Sequence, residues 1–165
     1  MRWLRSGSRQ DQATGSQLEA VRILTPELAL DGFVAPTGQR ITDILLRGQD
    51  LAFLPAGASA APDNWVRIAP GDLLAVIPPP IAAPHREWQQ PRRQIEAFAE
   101  VGPYRITGMA HLRRGETLDD KFRARQPFLP LTSATVQRAG GSPQRVDVAI
   151  VNLDNADLFG PAVGG

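Results

Sequence analysis

The sequence predicts a mainly β protein, α+β by strict count, in which two tandem β-rich repeats pack as an intramolecular pseudo-dimer. Three observations point there. An ordered set of residues occurs twice, apolar and polar residues alternate through most of each copy, and fifteen glycines and fifteen prolines punctuate the alternating segments.

The repeat runs from Gln17 to Pro55 and again from Gln94 to Pro130. Gln17-Leu18-Glu19-Ala20 returns as Gln94-Ile95-Glu96-Ala97, and Phe53-Leu54-Pro55 returns as Phe128-Leu129-Pro130. Between them Pro26 matches Pro103, Gly32 matches Gly108, Gly38 matches Gly115, Asp43 matches Asp120 and Gln49 matches Gln126. The chain therefore divides into a mobile polar tail (1–16), a first repeat (17–77), a proline-rich spacer (78–93) and a second repeat (94–161).

Each repeat opens with a strand. Ile95, Ala97, Ala99 and Val101 fall on one face, with Glu96, Phe98 and Glu100 on the other. Pro26 and Pro103 turn the chain, and a second alternating segment follows, with Leu28, Leu30, Gly32 and Val34 or Tyr104, Ile106, Gly108, Ala110 and Leu112 facing inward. The two strands form a hairpin. A glycine on the inward face at the same place in both copies calls for a bulge or a close backbone approach.

A helix of about two turns comes next, around Ile41, Ile44 and Leu45 in one copy and around Leu118 and Phe122 in the other. Thr117 and Asp120 have the spacing of a capping box. Arg40 stands at the matching cap, so that helix is expected to begin differently, from Thr42. Asp43 and Asp120 are read as acidic residues opposing the helix dipole before they are read as a catalytic pair.

Phe-Leu-Pro then opens a core strand. It continues as Leu131-Thr132-Ser133-Ala134-Thr135-Val136 in the second copy and degrades to Ala56-Gly57-Ala58-Ser59 in the first. Turns at Pro62-Asp63 and at Gly140-Gly141-Ser142-Pro143 lead to strands around Val66 and Ile68, and around Val146, Val148 and Ile150. The last strands, Leu73 to Ile77 and Ala156 to Phe159, each follow an aspartate and end at proline. Each repeat thus reads strand, strand, short helix, three strands. In the spacer, Pro78-Pro79-Pro80 should be extended and stiff. Trp88 there either packs on a repeat or anchors a partner; with Arg92 and Arg93 it forms the candidate partner-binding segment.

Phe128-Leu129-Pro130-Leu131-Thr132-Ser133-Ala134-Thr135-Val136, preceded by Gly115-Glu116-Thr117-Leu118-Asp119-Asp120 and followed by Val148-Ala149-Ile150-Val151-Asn152, resembles a family of small bacterial domains of unknown function. The resemblance implies a hairpin with a glycine, a short helix and an FLPLT-like strand, present here as a tandem duplicate. It implies no catalytic residue. The first copy departs from it at Ala56 and at Ala69-Pro70.

Composition narrows the function classes. Without cysteine there is no disulfide, thiolate nucleophile or thiolate metal site, and a cytosolic setting is the default. His85 and His111 are not at metal-ligand spacing, and both are expected to be solvated. No metal or cofactor is expected, and no catalytic residue is assigned. No apolar run is long enough to cross a bilayer, so no membrane partner is expected. Net charge is +1, yet neither repeat is basic: residues 17–80 hold seven carboxylates against four arginines, and residues 94–165 hold eight charges of each sign. Nucleic acid is disfavoured on that ground. The expected function is a non-catalytic binding or scaffolding module for a protein partner, with self-association through strand edges as a further route. Two alternatives stay open: nucleic-acid binding through the arginine-rich spacer and loops, and a carboxylate-dependent hydrolase.

Overall fold

The computed structural model describes residues 18–80, 93–123 and 126–162. The first half contributes β1 (Glu19–Leu24), β2 (Ala29–Val34), α1 (Ile41–Leu46), β3 (Leu51–Pro55), β4 (Val66–Ile68) and β5 (Ala75–Ile77). The second contributes β6 (Arg93–Val101), β7 (Tyr104–Leu112), α2 (Leu118–Arg123), β8 (Phe128–Arg138), β9 (Gln144–Asn152) and β10 (Ala156–Pro161). The protein is mainly β, and each half follows the order strand, strand, short helix, three strands.

All ten strands lie in one antiparallel sheet, in the order β10-β6-β7-β8-β9-β5-β1-β2-β3-β4. Read separately, the halves have the same internal order: the last strand flanks the first, and the first four follow as a meander. The halves meet where β5 pairs with β9, Ala75 opposite Val151 and Val76 opposite Ile150. The outer edges are β10 and β4.

The joint explains why the strands beside it are apolar on both faces. Two core clusters lie on opposite sides of the sheet there. One gathers Ala97, Ala99, Ile106, Leu131, Ala149 and Val151 of the second half and takes in Leu24, Leu74 and Ala75 of the first. The other gathers Ile23, Ile41, Leu45, Phe53 and Val76 of the first half and takes in Phe128, Val148 and Ile150 of the second. A strand buried on both faces must read as a continuous apolar run, as Val148-Ala149-Ile150-Val151 does.

Polar groups lock the joint. Asn152, 2% exposed, donates through Nδ2 to the Leu73 carbonyl at 2.9 Å and to that of Pro70 at 3.2 Å, and its Oδ1 accepts from the Asp154 N–H at 3.1 Å. Asn155 donates to the Gly71 and Leu73 carbonyls at 2.8 and 3.0 Å. These amides give the Gly71 and Leu73 carbonyls their side-chain donors and add a second donor to the Pro70 carbonyl, which also accepts from the Leu73 N–H, where the two halves meet. Arg22 of β1 pairs with Asp31 at 2.6 Å and reaches Gln144 of β9 at 2.7 Å.

Four details differ from the sequence reading. The inward face of β2 holds only Gly32 and Val34; Leu28 and Leu30 are 43% and 36% exposed, because β3 pairs with β2 only over Gly32–Val34. The matching face of β7 is buried from Tyr104 to Leu112, since β8 is eleven residues long and pairs along it. Helix α1 starts at Ile41 after an extended Arg40, with no side-chain cap, in place of a start at Thr42. The two Phe-Leu-Pro segments, although all core apart from their prolines, are not spatial counterparts. Phe53 faces Gly32, whereas Gly108 is faced by Leu131, and Phe128 joins the first half's cluster. The fourth detail is the opening match, which stands one residue out of register: Val21 lies opposite Gly32 and Ala97 opposite Gly108.

Both glycines do sit at close backbone approaches. A Cβ on Gly32 would collide with the Phe53 ring and the Leu54 carbonyl, and one on Gly108 would come within 3.0 Å of Leu131 Cβ and Thr132 O. At Gly108 the β7–β8 register shifts. Ser133, opposite, takes up the extra residue with φ 47°, a left-handed conformation that suits a bulge. No helix among the described residues is long and apolar enough to cross a membrane.

Candidate interaction surface

The β10 edge is built by the short Ala156–Pro161 segment, which the Leu153–Asn155 turn delivers antiparallel to β6. Its register slips between Ala156 and Leu158, leaving Asp157 in a bulge. Phe159 lies opposite Ala99, and Leu158 opposite Glu100. With no described strand on its other side, Leu158 is 51% exposed.

Helix α2 is placed beside this edge by its own capping. The Asp120 N–H donates to Thr117 Oγ1 at 3.1 Å, and the Thr117 N–H donates back to Asp120 Oδ2 at 2.8 Å, which is the expected capping box. The Thr117 hydroxyl, which donates to the same Oδ2 at 2.7 Å, and the Thr117 N–H together hold the Asp120 carboxyl below its usual range. At Glu116, burial pushes the pKa up, but the Arg113 N–H and Lys121 outweigh it and the carboxyl sits low. So anchored, α2 buries Leu118 and leaves Phe122 54% exposed. The Phe122 ring stacks on Phe159 at 6.3 Å with an interplanar angle of 14°.

Between α2, β10 and the start of β6 lies an open groove of about 590 Å³. Its floor is apolar, with Ile95, Leu118, Phe122 and Phe159, and its rim carries Arg93, Asp119 and Asp157. A smaller groove of about 230 Å³, beside α1, mixes apolar residues such as Val34, Ile41 and Ile44 with the polar Glu19, Thr37, Gln49 and Asp50.

Of the three residues assigned to partner binding, Trp88 and Arg92 lie outside the described residues. Arg93, read as the end of the spacer, is the first residue of β6, exposed and opposite Leu112. It lines the groove.

No family model, curated protein or solved structure matches the chain.

Residues with a catalytic reading are otherwise engaged. His111 is half-buried, not solvated, and its Nε2 lies 2.8 Å from Thr132 Oγ1 across the β7–β8 pair. The same hydroxyl reaches the Met109 carbonyl at 3.4 Å. Asp120 is committed to its cap, and Asp43 stands in the first turn of α1, on the other half. His85 lies outside the described residues. Among the described residues no cluster of His, Asp or Glu could hold a metal ion.

The groove-forming aromatics were missed by sequence reasoning. Phe122 sits four residues after Leu118, a spacing that reads as one buried helix face. The signal available was the pair of large apolar residues Leu158-Phe159 in a short segment otherwise made of Asp, Ala, Gly and Pro.

Proposed function

We propose that the protein is a non-catalytic, cytosolic interaction module that binds another protein, and that its two halves arose by tandem duplication of a unit of the family it resembles. One observation carries the binding reading: an unpaired sheet edge, β10, adjoins an apolar groove in which the Phe122 ring is about half exposed. Soluble proteins usually cover or charge such edges, and an apolar one beside a groove is the common form of a strand-accepting surface. The shared strand order supports the duplication.

The test is direct binding between the purified protein and proteins recovered with it from its source cells. A saturable protein partner is expected, with affinity that changes little between low and physiological salt. Recovery of nucleic acid alone, with affinity falling steeply as salt rises, would overturn the reading in favour of phosphate contacts.

A further inference from the structure

We infer that the β10 edge and the α2 groove receive the edge strand of a β-hairpin from another protein, apolar on both faces and added antiparallel, in the way β9 is added to β5. The inference rests on the interaction-module reading and names the site and the kind of partner.

The molecule contains a filled version of the same place. Val21 and Ala97 both lie opposite the inward glycine of their hairpin, so Ile23 and Ala99, two residues on, are counterparts. Val76 pairs with Ile23 and Phe159 pairs with Ala99, which makes Val76 and Phe159 counterparts, and likewise Ala75 and Leu158. On the first half, β9 covers this edge, and Phe128, Val148 and Ile150 pack into the cluster that holds Ile41 and Leu45 of α1. Ala75 and Val76 are there 0% exposed. On the second half no described residue covers the edge, and the space beside Leu118 and Phe122 of α2 is the groove.

What fills the internal site defines the occupant. Ile150 stands opposite Val76 and Val151 opposite Ala75, one on each face of the sheet. A strand seated on β10 therefore needs an apolar residue opposite Phe159 and another opposite Leu158. An alternating strand with one polar face would leave Leu158 against a polar side chain.

A second copy of this chain does not supply that strand through its other edge. Its free edge β4 corresponds to β9, since Val66 lies opposite Phe53 as Ala149 lies opposite Leu131. In that alignment Asp50, Trp65 and Arg67 stand where Phe128, Val148 and Ile150 stand. Two of the three would bring charges into an apolar groove, which opposes head-to-tail growth of copies into a filament.

The probe is a labelled peptide of residues 142–152, which carries the strand that fills the internal site, added to the intact protein. Saturable binding is expected, with amide shifts at Phe122, Leu158 and Phe159. Phe122→Asp combined with Leu158→Asp, both at exposed positions, should weaken it at least tenfold while the protein still melts in one cooperative transition, and Ile150→Asp in the peptide should weaken it as much. Absence of binding, shifts centred on β4 or β5, or indifference to the double variant would overturn the assignment. So would an intact protein that sediments as a dimer and becomes monomeric in the double variant, which would make a second copy the occupant. Capture from source cells separates the two levels. If wild type and double variant bind the same protein equally, the site is wrong and the interaction module stands; if wild type binds no protein, both fail.

Discussion

Gly32 lies under the Phe53 ring, and the space a methyl group needs there is already taken. Gly32→Ala should cost about 1–3 kcal/mol, the usual range for overpacking, read from urea unfolding. Gly108→Ala should cost less, because its nearest neighbours stand at 3.0 Å; equal costs would mean that the ring yields freely. The carboxylates give a pH dependence of definite sign. Asp31, held low mainly by its hydrogen bond from Arg22, and Asp120, held low by Thr117, both have folded pKa values below the ordinary aspartate value of about 3.9. Their contribution is complete above that value and is lost as pH falls through the lower folded one. Stability should therefore be flat from neutral pH down to roughly pH 5 and decline below about 4, as thermal melts would show. Asp31→Asn should shallow that decline, and by little, since the Asp31 side chain is 61% exposed. A decline already complete by pH 5 would require some other titrating group.

At the scale of elements, most of what forms was legible in the sequence. The period-two alternation around Ile95–Val101 and Tyr104–Leu112, the turn at Gly140, whose φ is 75°, and the Thr117–Asp120 cap all became the structures their residue types favour. Thr117→Ala should cost about 1 kcal/mol, typical of a lost N-cap, while Thr42→Ala in α1 should cost almost nothing, because no side chain caps that helix. Thermal melts of the two variants check the contrast. Register was not legible. Matching identical residues aligns Phe53 with Phe128, but packing aligns Phe53 with Leu131, since each is the side chain that covers the inward glycine. The Ser133 bulge and the different loop lengths absorb the offset. A one-residue slip reverses the faces of a strand, so identity along the chain is a poor guide to which residue points where. The exposure of Phe122 escaped for a related reason: helical spacing says which residues share a face and is silent on whether anything covers it.

The whole molecule is held by exchange across the joint, with Phe128, Val148 and Ile150 serving the first half and Leu24, Leu74 and Ala75 the second. Phe128→Ala should cost on the order of 3–5 kcal/mol, as large-to-small core changes do. Calorimetry should still show one transition, because neither cluster closes without residues of the other half; two separated transitions would sink this account. The pairing of β5 with β9 could not be read from sequence, for long-range strand pairing leaves no local periodicity. The apolar run Val148–Val151 was visible, yet its meaning, burial on both faces, depends on a neighbour distant in the chain. That distance has a consequence for synthesis. A ribosome adds on the order of 5–20 residues per second, and Val76 emerges well before its partner Ile150. For several seconds the nascent first half holds Ile23, Leu45, Phe53 and Val76 in a cluster still missing Phe128, Val148 and Ile150. The N-terminal half is therefore the portion most exposed to chaperones and proteases during translation, and it is completed from the C-terminal side.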